Sequence, residues 1–335
     1  MRFIFLVFLI FSVCQPAFAY ERVKRIINYG AEQRRADAIS PQGIVYSGFS
    51  LFPFLGVGEE FNDNIFKSEV LVLDDFITHL SPGFNIKSDW NRHQLALNVN
   101  SNLAFYAQHS GQNHHDVTVD FKGRLDVLRN SALRFSTYFG SLHADRQSIE
   151  QLGGVTPTFY RVLNIDVAYK HQFNRFSIEG ALDVFRRDYD NVALRTGTIR
   201  NNQARNRWDY NPFVRIAYEV QSGYEAFIKM RYTKVNYDQA QGINGYERSS
   251  RGGDAVVGFA FDATGLITGD IALGYRYRAY DDARLDVIHG LTGGLSLQWD
   301  VTPLMTIHSK VTQDIGETTQ LAVSGANITT INLGV

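Results

Sequence analysis

The chain has 335 residues, a formal net charge of −1, 44% apolar and 20% charged residues, and is rich in Phe (24) and Tyr (17) but poor in Pro (7). This balance excludes wholesale disorder and carries no nucleic-acid footprint, so no nucleic-acid partner is expected. The single cysteine, Cys14, lies in the leader, so the rest of the chain must be held by ordinary folding or by membrane insertion rather than by disulfides.

Residues 1–19 read MRFIFLVFLIFSVCQPAFA, with Arg2, an apolar run from Phe3 to Val13, and small residues at Ala17 and Ala19. This pattern predicts a secretory signal peptide cleaved after Ala19, the apolar run being too short for a spanning anchor. Bulky Val13 argues against lipid attachment at Cys14. Residues 20–42 do not alternate and are rich in Arg, which predicts a helical or flexible periplasmic segment. Beyond it no apolar stretch approaches the ~20 residues of a membrane helix, so a membrane-spanning form must be a closed barrel.

From residue 43 onward the period is two. In 114–129, HHDVTVDFKGRLDVLR, one set is His114, Asp116, Thr118, Asp120, Lys122, Arg124 and Asp126. The other is Val117, Val119, Phe121, Gly123, Leu125 and Val127. Alternate side chains of a strand point to opposite faces, so one face is charged and the other apolar. Similar rows predict about fourteen strands: near 43–60, 75–87, 92–106, 114–128, 132–145, 157–172, 175–189, 207–219, 223–237, 253–263, 266–280, 288–300, 304–315 and 327–335.

Three features favour a transmembrane barrel over a soluble sandwich. Most segments exceed the ~5–6 residues of soluble strands and the ~9–11 that a tilted membrane strand needs. Tight turns (88–92, 129–131, 173–175, 220–223, 263–266, 301–304) alternate with long polar stretches (61–75, 107–114, 146–157, 190–206, 239–251, 281–288, 315–327), as short periplasmic turns alternate with long outer loops. Aromatics mark the ends of apolar rows (Phe105, Tyr189, Trp208, Tyr210, Tyr275, Tyr277, Trp299), as interfacial girdles do. The expected fold is therefore an all-β antiparallel transmembrane barrel in 43–335.

The charged face becomes the lumen in this reading. Its candidate lining residues are Asp120, Lys122, Arg124, Asp166, Lys170, Asp183, Arg187, Arg215, Lys229, Arg231, Arg276 and Arg278. Paired acids and bases would offer a hydrated, hydroxyl-rich solute a transverse field, or would serve only as cross-strand ion pairs stiffening a polar interior. Tyr106, Tyr138, Phe185, Phe213 and Phe227 interrupt the polar row, either as stacking platforms for sugars or as lumen filler. His114 and Asp116 share a side without a third ligand, so no metal is expected; Glu59, Glu60 and Asp63 read as solvated loop acids. No phosphate loop, Cys–His pair or GxSxG nucleophile occurs, so neither enzyme activity nor a cofactor is expected.

The stretches GIVYSGFSLFPFLGVGEEFNDNIF (43–66), LSPGFNIKSDWNRHQL (80–95), RLDVLRNSALRFS (124–136), the region from LHADR to GGVTPTFY (142–160) and HQFNRFSIEG (171–180) resemble an outer-membrane β-barrel porin family of the exopolysaccharide-export type. The resemblance runs from residue 43 onward. It implies a Gram-negative outer-membrane barrel contacting lipid and lipopolysaccharide, with a polysaccharide as solute and periplasmic export proteins as partners. Family members generally continue past INLGV, which implies a larger barrel of 16–18 strands. A general diffusion porin for small hydrophilic solutes, or a structural or adhesive barrel with a blocked lumen, are the alternatives.

Overall fold

The computed structural model describes residues 43–68, 71–144, 146, 154–240, 242, 245–263, 265–302, 304–316 and 323–335. The expected signal peptide and the 20–42 segment lie outside the described residues. Fifteen strands form one antiparallel sheet in strict chain order: β1 (Ile44–Tyr46), β2 (Phe49–Asn62), β3 (Asp75–Ser88), β4 (Gln94–Tyr106), β5 (His114–Leu128), β6 (Ser131–His143), β7 (Phe159–Phe173), β8 (Phe176–Tyr189), β11 (Arg207–Gln221), β12 (Tyr224–Tyr237), β13 (Ser250–Ala263), β14 (Ile267–Tyr280), β15 (Ile288–Thr302), β16 (Met305–Gly316) and β17 (Ala326–Gly334). A small hairpin, β9 (Val192–Ala193) and β10 (Ile199–Arg200), sits apart in the connection between β8 and β11.

All but one of the expected strands coincide with observed ones to within about three residues. The exception is 43–60, which is two strands. Ser47 and Gly48 take left-handed φ values of 47° and 79°, so the chain reverses there and β1 pairs back on Phe49–Leu51 of β2. Two residues with φ > 0 make the hairpin turn whose twist matches its strands. Two other short connections each contain one left-handed residue, Asn174 (φ 54°) between β7 and β8 and Gly223 (φ 83°) between β11 and β12.

Long loops and short turns alternate along the chain, so all long loops leave one end of the sheet. The register keeps the sides unmixed across many strands. Gln94 faces Arg124, Arg124 faces Arg134, and Arg134 faces Ala168. A slip of one residue anywhere would carry a whole charged row to the apolar side.

Apolar side chains on the other face are bare: Met230 is 60% exposed, Leu273 61% and Leu291 75%. Among the described residues no second sheet of comparable size covers this face. A continuous apolar surface of this size is not tolerated in water and is the lipid-facing band of a barrel. That disposes of the sandwich. One small apolar core exists, where Ile65, Ile77 and Ala104 pack with Phe66, Leu73 and Tyr106 beside the first long loop. The sheet runs from β1–β2 to β17, and no pairing joins β17 to β2 among the described residues.

Close strand packing is helped by rings lying over facing glycines. Phe54 faces Gly83, Phe135 faces Gly123 and Phe227 faces Gly258. A Cβ on Gly83, Gly123 or Gly258 would come within 2.3, 2.1 and 2.3 Å of the ring above it, so only glycine fits. The ring supplies the packing surface that the glycine lacks.

Candidate functional site

The strand register places every candidate wall residue on one face. Asp120, Lys122 and Arg124 lie on β5, Asp166 and Lys170 on β7, and Asp183 and Arg187 on β8. Arg215 lies on β11, Lys229 and Arg231 on β12, and Arg276 and Arg278 on β14. Lys122 faces Ser136, Ser136 faces Asp166, Asp166 faces Asp183, and Asp183 faces Asn211. On the next strands Phe213 faces Arg231, Arg231 faces Asp254, and Asp254 faces Arg276.

Much of this face is neutralised locally. Lys122 pairs with Asp120 at 3.0 Å, Arg124 with Asp126 at 2.9 Å, Arg215 with Glu225 at 2.5 Å and Arg231 with Asp254 at 2.8 Å. Arg134 reaches across β7 to donate to Glu179 at 3.0 Å, and Arg276 donates to the carbonyl of Gln313 at 2.7 Å across β15. These two bonds skip a strand, which requires the sheet to curl toward its charged side. Arg134, Glu179, Arg207, Asp209, Asp254 and Asp314 are not among the lining candidates taken from the sequence, although alternation puts Glu179 and Asp209 on the polar rows of their strands. Arg134 and Glu179 follow from the same alternation that gave their neighbours. Asp254 is hard to read because the SRGGDA stretch offers few large residues from which to take a period.

Between β8 and β17 the curl encloses a cavity of about 570 Å³. Its charged lining is Arg187, Arg207, Arg231, Arg276 and Arg278 against Asp183, Asp209, Asp254 and Asp314. Five guanidinium groups thus meet four carboxylates around this cavity.

The inward aromatics Tyr106, Tyr138, Phe185, Phe213 and Phe227 share the charged face through their facing partners. Three of them carry a cation: Arg187 lies 4.8 Å from the Phe185 ring centre, Lys229 4.2 Å from Phe213, and Arg215 4.2 Å from Phe227. A ring in such a pair holds its cation extended along the wall. Tyr189 needs correction. It faces Tyr160 on the charged side, is buried, and lies 3.8 Å beneath the Arg205 guanidinium, so it is not part of an outer girdle. Its number is odd, like those of Asp183 and Arg187, and the alternation puts all three together.

His114 and Asp116 share the charged face and His115 lies opposite, near Phe159. His114 stacks on His143 with ring centres 3.7 Å apart, while Asp116 sits 2.9 Å from His143 Nδ1. Among the described residues no group of three or more His, Cys, Asp or Glu is placed to hold a metal ion. Glu60 engages His79 at 3.1 Å, and Glu59 accepts a hydrogen bond from Thr78 on the opposite side.

The long-loop end is organised as two clusters. In the first, Gln112 Nε2 donates to the Val155 carbonyl, Val155 N–H donates to the Ala193 carbonyl, and Arg146 donates to Gly154 and to Gln112. Phe66, from the loop after β2, lies against both Arg146 and Arg195. Burial, and then the neighbouring Arg195 charge, push the Arg146 guanidinium below its ordinary value. In the second cluster Arg248 donates to the Val323 carbonyl and Arg284 to Asp282 and the Gly245 carbonyl. The Arg284 side chain, with the backbone N–H groups of Arg284 and Glu247, holds the Asp282 carboxyl well below the usual carboxylate range. Asp238 is likewise lowered by hydrogen bonds from Arg186.

Residues 37–335 match the family described as "Putative beta-barrel porin 2". The chain belongs to this family. Membership and the bare apolar face together make it an outer-membrane pore protein in the general sense. No curated protein matches the sequence. Among solved structures the porin is similar to "Copper transporter OprC", at 10% identity and a TM-score of 0.47, over 85% of this chain and 54% of OprC. The chain therefore spans about half the length of OprC.

Proposed function

We propose that the porin is a passive conduit of the Gram-negative outer membrane that carries an exopolysaccharide outward. In this reading residues 1–19 direct export and are removed near Ala19, 20–42 lie in the periplasm, and the long loops face outside, where their two clusters gate the mouth. Periplasmic polysaccharide-export proteins would deliver the polymer, and lipid and lipopolysaccharide would surround the wall. The supporting observation is the register: a dozen candidate charged residues, with their polar neighbours, fall on one face while the other is apolar over the middle of its strands. That other face has its own charges, such as Arg186, Lys234 and Arg251, near the long-loop end. Such a wall suits a hydrated, hydroxyl-rich solute that slides past many weak contacts rather than stopping at one strong site.

In cells that make an exopolysaccharide, deleting the gene should abolish the extracellular polymer and leave it in the periplasm. Undiminished secretion would sink export. In planar bilayers the full chain should conduct ions. Arg231→Glu and Arg276→Glu should each shift selectivity toward cations, and unchanged selectivity would remove those residues from the conduction path.

A further inference from the structure

The charged wall contains three places where cations face each other directly across neighbouring strands: Arg124 and Arg134, Arg187 and Arg207, and Arg215 and Lys229. Like charges in facing positions repel, so such pairs need compensation. The first pair has it on both sides, from Asp126 and Glu179. In the other two only one member has an acidic partner within the wall: Arg207 with Asp209 at 3.2 Å and Arg215 with Glu225.

The opposing members differ. Arg187 Nε is shut off from solvent with no hydrogen-bond partner among the described residues, and its guanidinium rests on Phe185. Lys229 rests its ammonium on Phe213. Neither forms an ion pair among the described contacts. Each is therefore a positive charge held out by a ring, beside a second positive charge, at a position half-open to the lumen. Arg187 also lines the 570 Å³ cavity. Along β11 their facing partners, Arg207 and Arg215, are eight residues apart, or about 26 Å at the ~3.3 Å rise of a strand. Arg231 and Arg276 lie between them on the same face.

We infer that this wall takes an anionic polymer, a polysaccharide bearing carboxylates, with Arg187 and Lys229 as its two anion-binding positions. A carboxylate arriving at either position relieves the repulsion within the facing pair and accepts hydrogen bonds from the terminal guanidinium nitrogens of Arg187 or from Lys229 Nζ. The hydroxyls of a neutral polymer can accept the hydrogen bonds but leave the repulsion in place. The wall would thus pull uronate residues from one position to the next without forming a closed, high-affinity pocket. This assignment rests on the proposed export role and refines it to a solute class.

The test uses the detergent-purified full chain, a fluorescent oligogalacturonate, and a neutral maltodextrin of matched length. At low ionic strength the uronate oligomer should bind at least tenfold more tightly. Arg187→Gln and Lys229→Gln should each cut that preference about threefold or more, and raising NaCl to 0.5 M should erase it. Equal affinity of the two oligomers for the unaltered protein overturns the inference, as does an undiminished preference in both variants. Bilayer conductance is read separately. A chain that prefers uronate but does not conduct sinks the conduit and keeps the binding positions; one that conducts without preference does the reverse.

Discussion

The two faces of β14 carry the same backbone and end in opposite solvents. Ile271, Leu273, Tyr275 and Tyr277 stand bare on one side, while Asp270, Arg276 and Arg278 occupy the other, where facing strands supply partners. The outer face is undemanding about identity and strict about charge. The inner face tolerates charge but is particular about which partner stands opposite. Stability in this chain is therefore decided less by what a residue is than by the side on which the pleat presents it.

The largest test of that contrast uses one side chain on both faces. Leu273→Arg, near the middle of the outer band, should cost about 2–4 kcal/mol of folding free energy in bilayers. Asn100→Arg, on the inner face of β4, should stay within about 1 kcal/mol of the native chain. Urea titrations in lipid vesicles read both, and similar costs would dissolve the distinction between the faces. Glu179→Ala probes the demand for partners inside. It removes the buried acceptor of Arg134 and should cost about 2 kcal/mol, seen as a lower denaturant midpoint. Asp190→Asn marks the small end of the scale, because the Arg161–Asp190 pair is more than half exposed on both sides; no measurable shift is expected.

Acid should separate the loops from the wall. Asp282 and Asp238 have folded-state carboxyl pKa values below their unfolded ones, so their stabilisation is complete above the unfolded value of about 3.9 and fades as pH falls through the depressed values. Between pH 7 and pH 5 amide exchange at Asp238 and in 245–249 and 281–287 should be flat once the intrinsic rate is removed. Below about pH 4 protection should fall there first. Asp282→Asn should abolish that acid-dependent loss around Arg284.

Most of the sheet was legible because a period-two pattern repeated over a dozen residues leaves little room for another fold, and because loop lengths alternated in step with it. What escaped was local or distant. The reversal at Ser47–Gly48 hid inside an apparently continuous run, since a two-residue turn interrupts alternation without breaking it. The β9–β10 hairpin, only two residues per strand, is too short to show a period at all. On the wall, alternation told which side each charge occupies but not which charges meet. The Arg134–Glu179 bond depends on curvature across β7, and the facing of Arg187 by Arg207 depends on the span of the loop between β8 and β11. Tyr189 was misplaced because its aromatic character outweighed its parity.

The three-residue strand β1 occupies only Phe49–Leu51 along one border of β2, and no other pairing on that border involves Phe52–Asn62 among the described residues. Those eleven positions extend about 37 Å, and at a ~40° tilt they rise about 28 Å, slightly more than the ~25 Å oily layer such barrels cross. The small flap therefore lies outside a stretch of β2 long enough to cross such a layer by itself. It covers only the rungs nearest the short-turn end, and the rest of that border is unpaired among the described residues.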